Sequence, residues 1–78
     1  MREFYVRFHT SQDVQDFIAL ATRQPFPLTV GNDSYHVNAS SFMGMFTLNH
    51  SQPLRVTVHC GDEDFFRLLR EAERFLAT

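Results

Sequence analysis

Apolar and polar residues alternate along this chain with two different periods, and the switches between them mark out its elements. Phe4, Val6 and Phe8 alternate with Glu3, Tyr5 and Arg7, the period of a strand with one buried face. Thr10 or Ser11 then offers a hydroxyl to the free amides of a first helical turn, and Asp13 adds negative charge there. Val14, Phe17, Ile18 and Ala21 follow at helical spacing, up to a stop at Pro25 and Pro27. Leu28 to Val30 and Tyr35 to Asn38 read as short strands around Gly31-Asn32-Asp33-Ser34, residue types that tolerate or stabilise turns, and so predict a hairpin. Ser41 opens a short helical stretch expected to end near Asn49, a residue type that accepts the left-handed conformation past a helix end. Pro53 precedes a strand from Leu54 to Cys60, and Gly61-Asp62 turns the chain. Asp62, Glu63 and Asp64 put negative charge at the start of a last helix, whose apolar stripe is Phe65, Leu68, Leu69, Ala72, Phe75 and Leu76. The order is β-α-β-β-α-β-α. Without a long crossover it predicts an α+β fold, a four-stranded antiparallel sheet with three helices on one face.

Composition narrows the function. With no linker, repeat or low-complexity tract, residues 1–78 are expected to form one domain, whose core takes up most of the large apolar residues and leaves little for a deep pocket. A formal charge of -2, with all seven basic residues arginine, supplies no basic stripe for phosphate contacts, so nucleic acid is not an expected partner. Cys60 cannot form an internal disulfide, and its place in the alternation Leu54, Val56, Val58, Cys60 reads as a small buried hydrophobe in a reducing, cytoplasmic setting. Met1-Arg2-Glu3 opens no signal-length apolar run, and no segment approaches the ~20 apolar residues of a membrane span. A soluble, unprocessed protein is expected.

The run Val37 to Leu48, Val-Asn-Ala-Ser-Ser-Phe-Met-Gly-Met-Phe-Thr-Leu, carries the most specific signal. It resembles the regulatory-serine segment of HPr, the small phosphocarrier of the bacterial sugar phosphotransferase system, and of its regulatory paralogue Crh. Phe17, Ile18, Ala21, Val30, Val37, Ser41 and Leu48 lie on the family pattern without a gap, and Val56-Thr57-Val58 and Gly61-Asp62-Glu63 match its last strand and turn after a deletion of about one residue. Nearly the whole chain is covered. The resemblance implies the open-faced sandwich of HPr proteins.

The family carries its phosphate on a histidine within Leu-His-Ala-Arg-Pro-Ala. Here Thr10 falls at the histidine, Gln12 at the arginine and Asp13 at the proline, after a loop about three residues shorter. His9 lies one residue away, and a local shift would bring it to the helix start. Against a carrier role, Asp13 competes for the same amides and repels a phosphoryl group by roughly 1 kcal/mol at close range. A plain loop histidine is the other reading.

Ser41 matches the serine that, in many Gram-positive bacteria, a dedicated HPr kinase phosphorylates to create a docking signal for a transcriptional regulator. A phosphate on a helix N-cap meets free amides and the positive helix end, so modification is compatible with the fold. A purely structural cap, worth ~1 kcal/mol, is the alternative. Ser40 stands where HPr proteins often have lysine.

Phe42, Met43, Met45 and Phe46 are more apolar side chains than one face of a short helix buries, so some must face solvent. The family positions matching Phe42, Met43 and Phe46 dock enzyme I, permease domains and the regulator, inside a basic rim. Gln12, Ala19, Thr22 and Ser40 replace rim positions that are often Arg or Lys, which removes the charges that steer acidic partners. The patch either binds a protein, self-associates, or is leftover apolar area.

No metal or cofactor is expected. His9, His36, His50 and His59 show no ligand-pair spacing, and in the strand order that the resemblance implies His36 and His59 would stand about 9 to 10 Å apart across an intervening strand. His59 and Cys60 are strand neighbours with opposed side chains and cannot act as base and nucleophile. The sequence therefore reads as a divergent, non-enzymatic HPr-like regulatory or protein-binding module, with Ser41 as its regulatory site and Phe42, Met43 and Phe46 as its contact surface. The competing readings are a phosphohistidine carrier using His9 and a structural module that self-associates through the patch.

Overall fold

The computed structural model describes residues 1–77. Its elements are β1 (Arg2–Val6), α1 (Ser11–Thr22), β2 (Leu28–Gly31), β3 (His36–Asn38), α2 (Phe42–Phe46), β4 (Leu54–Val58), α3 (Asp62–Glu71) and a 3-10 turn (Glu73–Phe75). The strands form one sheet in the order β1-β4-β2-β3, with every neighbouring pair antiparallel. This is the expected α+β open-faced sandwich.

The period of two divides each strand between two environments. Phe4, Val6, Leu28, Val30, Leu54, Val56 and Val58 are buried in one core with Val14, Phe17 and Leu20 of α1, Met45 of α2 and Leu68 of α3. Their alternates, including Glu3, Tyr5, Thr29, Arg55 and Thr57, belong to the open face. The aromatic centre of the core is Phe17, whose ring lies 5.2 Å from that of Phe8 and 5.4 Å from that of Phe75.

The β2–β3 hairpin closes through a hydrogen bond from the Asn32 amide to the Tyr35 carbonyl, 3.0 Å. A Cβ on Gly31 would collide with that carbonyl and lie 2.8 Å from the His36 Cα, which accounts for glycine at this position. Over the bare Gly31 backbone, Arg55 reaches from β4 to His36, 3.4 Å, and to Asp33, 3.2 Å. β3, which carries His36, and β4, which ends at Val58 just before His59, flank β2 on opposite sides.

Three local expectations are corrected. The last helix ends at Glu71, so Phe75 and Leu76 do not extend its stripe. The chain tightens into the 3-10 turn and then runs beside β1, where the Arg7 amide donates to the Phe75 carbonyl at 2.8 Å and the Ala77 amide to the Tyr5 carbonyl at 2.9 Å. An antiparallel bridge joins Val6 to Leu76. The gain is long-range: β1's outer edge finds hydrogen-bond partners and Phe75 enters the core, neither of which the local sequence announces. The second helix ends at Phe46, short of Asn49, and no described non-glycine residue has a positive φ. Asn49 instead accepts from the Ser51 amide through its side chain, 3.0 Å, a local turn. Cys60 lies beyond β4 and is half-buried against the core rather than fully enclosed.

Candidate functional site

The start of α1 is a polar lock. Thr10 is the N-cap, and its Oγ1 accepts from the Asp13 amide at 3.1 Å. Asp13 returns the favour one residue earlier than in a standard capping box: its Oδ2 accepts from the His9 amide, 3.0 Å. Arg74, from the C-terminal turn, then grips Asp13 Oδ1 at 3.2 Å and Asp16 Oδ2 at 2.6 Å while its guanidinium lies 4.3 Å from the Phe75 ring centre. The His9 amide, with help from Arg74 and the Thr10 backbone and against partial desolvation, holds the Asp13 carboxyl below its usual range. Negative charge is thus fixed at the helix start that, in the resemblance, faces the phosphohistidine.

The start of α2 uses the same cap without the lock. Ser41 is the N-cap, and its Oγ accepts from the Gly44 amide at 3.3 Å. Its side chain is exposed, whereas the neighbouring Ser40 hydroxyl donates to Asn38 Oδ1 at 2.7 Å. Gly44 permits close packing here: a Cβ would sit 3.1 Å from both Ser41 Oγ and Val37 Cβ. With the helix pressed onto β3, Met45 is fully buried, and the other large side chains are left outside. Phe42 is 57% exposed, Met43 78% and Phe46 38%. The Phe42 and Phe46 rings lie 4.8 Å apart and form one apolar ridge.

His50 closes the far end of α2. Its Nε2 lies 2.7 Å from the Met45 carbonyl, an acceptor, so that nitrogen carries the hydrogen. The ring meets Phe8 at 5.7 Å and Phe46 at 6.2 Å, tying α2 to the loop before α1. A shallow cleft of 300 Å³ results, lined by Phe8, His9, Thr10, Ser11, Phe46 and His50. His9 and Phe46 therefore share a cleft, while Ser41 caps the opposite end of α2, about 7 Å along the helix axis.

From the sequence alone Gly44 and Arg74 have no assigned role, and His50 counts only as one of four histidines without ligand-pair spacing. Glycine in the middle of a helical stretch is a signal of close backbone approach and points to Gly44. Nothing local marks His50 or Arg74, whose roles depend on contacts across the fold. Among the described residues, no group of three or more His, Cys, Asp or Glu side chains is arranged to hold a metal ion, and no helix is long and apolar enough to cross a membrane.

The element and strand orders describe an open-faced α+β sandwich, a four-stranded antiparallel sheet in the order β1-β4-β2-β3 with helices packed on one face. Compared with protein-family models and with curated proteins, the chain matches none. Among solved structures it is similar to the crystal structure of HPr-C-His from Thermoanaerobacter tengcongensis, with a TM-score of 0.71 and 23% identity over 92% of this chain and 90% of that one. A likeness at this identity establishes the HPr-like fold.

Proposed function

We propose that this chain is a non-enzymatic, cytoplasmic regulatory module related to the HPr proteins of the bacterial phosphotransferase system. In this reading it docks a protein through Phe42, Met43 and Phe46, and Ser41 is its phosphorylation switch. The observation that carries the reading is the exposure of three large apolar side chains on a five-residue helix whose cap hydroxyl is also open to solvent. Such surfaces suit protein contact, because Phe and Met combine large area with adaptability. Phosphate on Ser41 would add about 1.5 to 2 negative charges beside the ridge while an ester oxygen keeps the cap to Gly44. The partners implied by the resemblance are an HPr kinase, enzyme I and a transcriptional regulator. Loss of the basic rim at Gln12, Ala19, Thr22 and Ser40 favours a partner without a strongly acidic face.

The test is intact mass after incubation with ATP and an HPr kinase and, separately, with phosphoenolpyruvate and enzyme I, each product then exposed to mild acid. An acid-stable phosphate from the first mixture, lost in Ser41→Ala, is the expected result. A phosphate retained by Ser41→Ala removes the switch from Ser41, and an acid-labile phosphate from the second mixture transfers function to His9. No label in either, with authentic HPr labelled alongside, leaves the contact surface without either phosphorylation.

A further inference from the structure

We propose that the cavity between the end of β1 and the C-terminal turn binds the phosphate group of a small molecule. The cavity measures 340 Å³ and is larger and more enclosed than the cleft beside α2. Arg7, His9 and Arg74 line it together with apolar Pro53, Phe75 and Leu76, and no carboxylate does. In a chain of net charge -2, such a lining sets this cavity apart. The other described clefts either lack an arginine or place it beside a carboxylate, Arg23 with Glu71 and Arg55 with Asp33.

The two guanidinium groups are in complementary states. Among the described residues Arg2, Arg23, Arg55, Arg67 and Arg74 form ion pairs, and only Arg7 and Arg70 have none. Arg70 is exposed on α3 and lines none of the described clefts, whereas Arg7 lines this cavity. Its planar fork is suited to an oxyanion and has no carboxylate to satisfy it. Arg74 is fixed in place: Asp13 and Asp16 hold it, and its guanidinium lies 4.3 Å from the Phe75 ring centre. Those contacts leave further N–H donors of its fork unspent, and neither aspartate lines the cavity. A tetrahedral phosphate presents an oxygen to each of Arg7, His9 and Arg74, where a planar carboxylate has only two to offer. Pro53 and Leu76 supply apolar wall for a ligand's carbon skeleton. Thr10 and Gln12, which stand at the family's histidine and arginine positions, do not line the cavity, and neither does any residue of α2. The site is therefore independent of the docking surface and of Ser41.

Titration of the full chain with inorganic phosphate, followed by amide and arginine side-chain NMR at constant ionic strength, tests this. Saturating shifts at Arg7, His9, Arg74 and Ala77 are expected, and none when chloride is added to the same ionic strength. Arg7→Gln, which removes a charged bidentate donor, weakens binding at least about tenfold. Arg70→Gln removes the same charge outside the cavity and stays within about twofold. The Arg7 hydrogen bond to Phe75 is made by the backbone amide, so Arg7→Gln keeps the fold, as far-UV circular dichroism verifies. Methyl phosphate is expected to bind at least as tightly as the free ion; weaker binding overturns a phosphorylated small molecule as the ligand in favour of inorganic phosphate. The site itself is overturned by shifts that do not saturate by about 50 mM phosphate, by shifts that chloride reproduces, or by an Arg70→Gln loss equal to that of Arg7→Gln.

Discussion

The starts of α1 and α2 are built from the same device and left in opposite states. In both, a hydroxyl three residues ahead accepts from a helix amide, Thr10 from Asp13 and Ser41 from Gly44. The difference lies in the third residue. Asp13 folds its carboxylate back onto the His9 amide and out to Arg74, which makes the α1 start charged and tied down. Gly44 has no side chain to do this, and its smallness lets α2 settle against Val37, burying Met45 and leaving Phe42 and Met43 outside. One cap is closed by electrostatics and the other stays open to whatever binds or modifies it. In the function proposed above, the second helix start carries the activity and the first is left as a structural lock.

The sharpest way to break this comparison lies inside α2 itself. Met45→Ala removes a fully buried side chain and should cost about 2 to 5 kcal/mol in urea unfolding, whereas Met43→Ala, at an exposed position, should stay within about 0.5 kcal/mol. Equal losses would mean that the ridge is packed rather than presented. The two caps should come next and be alike in stability: Thr10→Ala and Ser41→Ala each cost about 1 kcal/mol. They should differ in chemistry, since only Ser41→Ala is expected to abolish labelling by an HPr kinase.

The lock at α1 also has a pH signature that α2 lacks. Because the folded-state pKa of Asp13 is lowered from its ordinary 3.8, the unfolded chain takes up the proton first as pH falls. The stabilisation is fully present above the ordinary value and is lost progressively as pH drops from there through the folded value. Unfolding measured from pH 6 down to pH 2 should show this acid-side decline reduced in Asp13→Asn. In Arg74→Ala it should become shallower, because a favourable charge has been removed while the His9 hydrogen bond remains. An Asp13→Asn profile identical to that of the parent would show that the lock carries no electrostatic stabilisation.

Much of the fold was legible because its signals are local. The alternation in β1 and β4, the Thr10 cap, the proline stop after α1 and the acidic first turn of α3 each lie within a few residues, and each corresponds to an observed element. The candidate site was legible only in part. Four apolar side chains in a short helix guaranteed that some would be exposed, but neighbouring Met43 and Met45 are chemically identical, and only the way Gly44 seats the helix on β3 decides which is buried. The shortened α2 was hidden for a related reason: its last carbonyls are satisfied by Thr47 and by His50, which removes any need for a left-handed residue at Asn49.

The sequence by itself determined where strands and helices begin, which face of each meets a core, and that an uncharged apolar segment follows a capping serine. Those properties rest on periodicity and capping, interactions spanning four residues or fewer. Tertiary structure alone decided the rest. Arg74 reaches carboxylates 58 and 61 positions away, Leu76 leaves the helical pattern to bridge Val6, and Arg55 crosses Gly31 to meet His36. Each of these choices is settled by a partner that becomes a neighbour only when the chain has closed, so no local pattern could have recorded it.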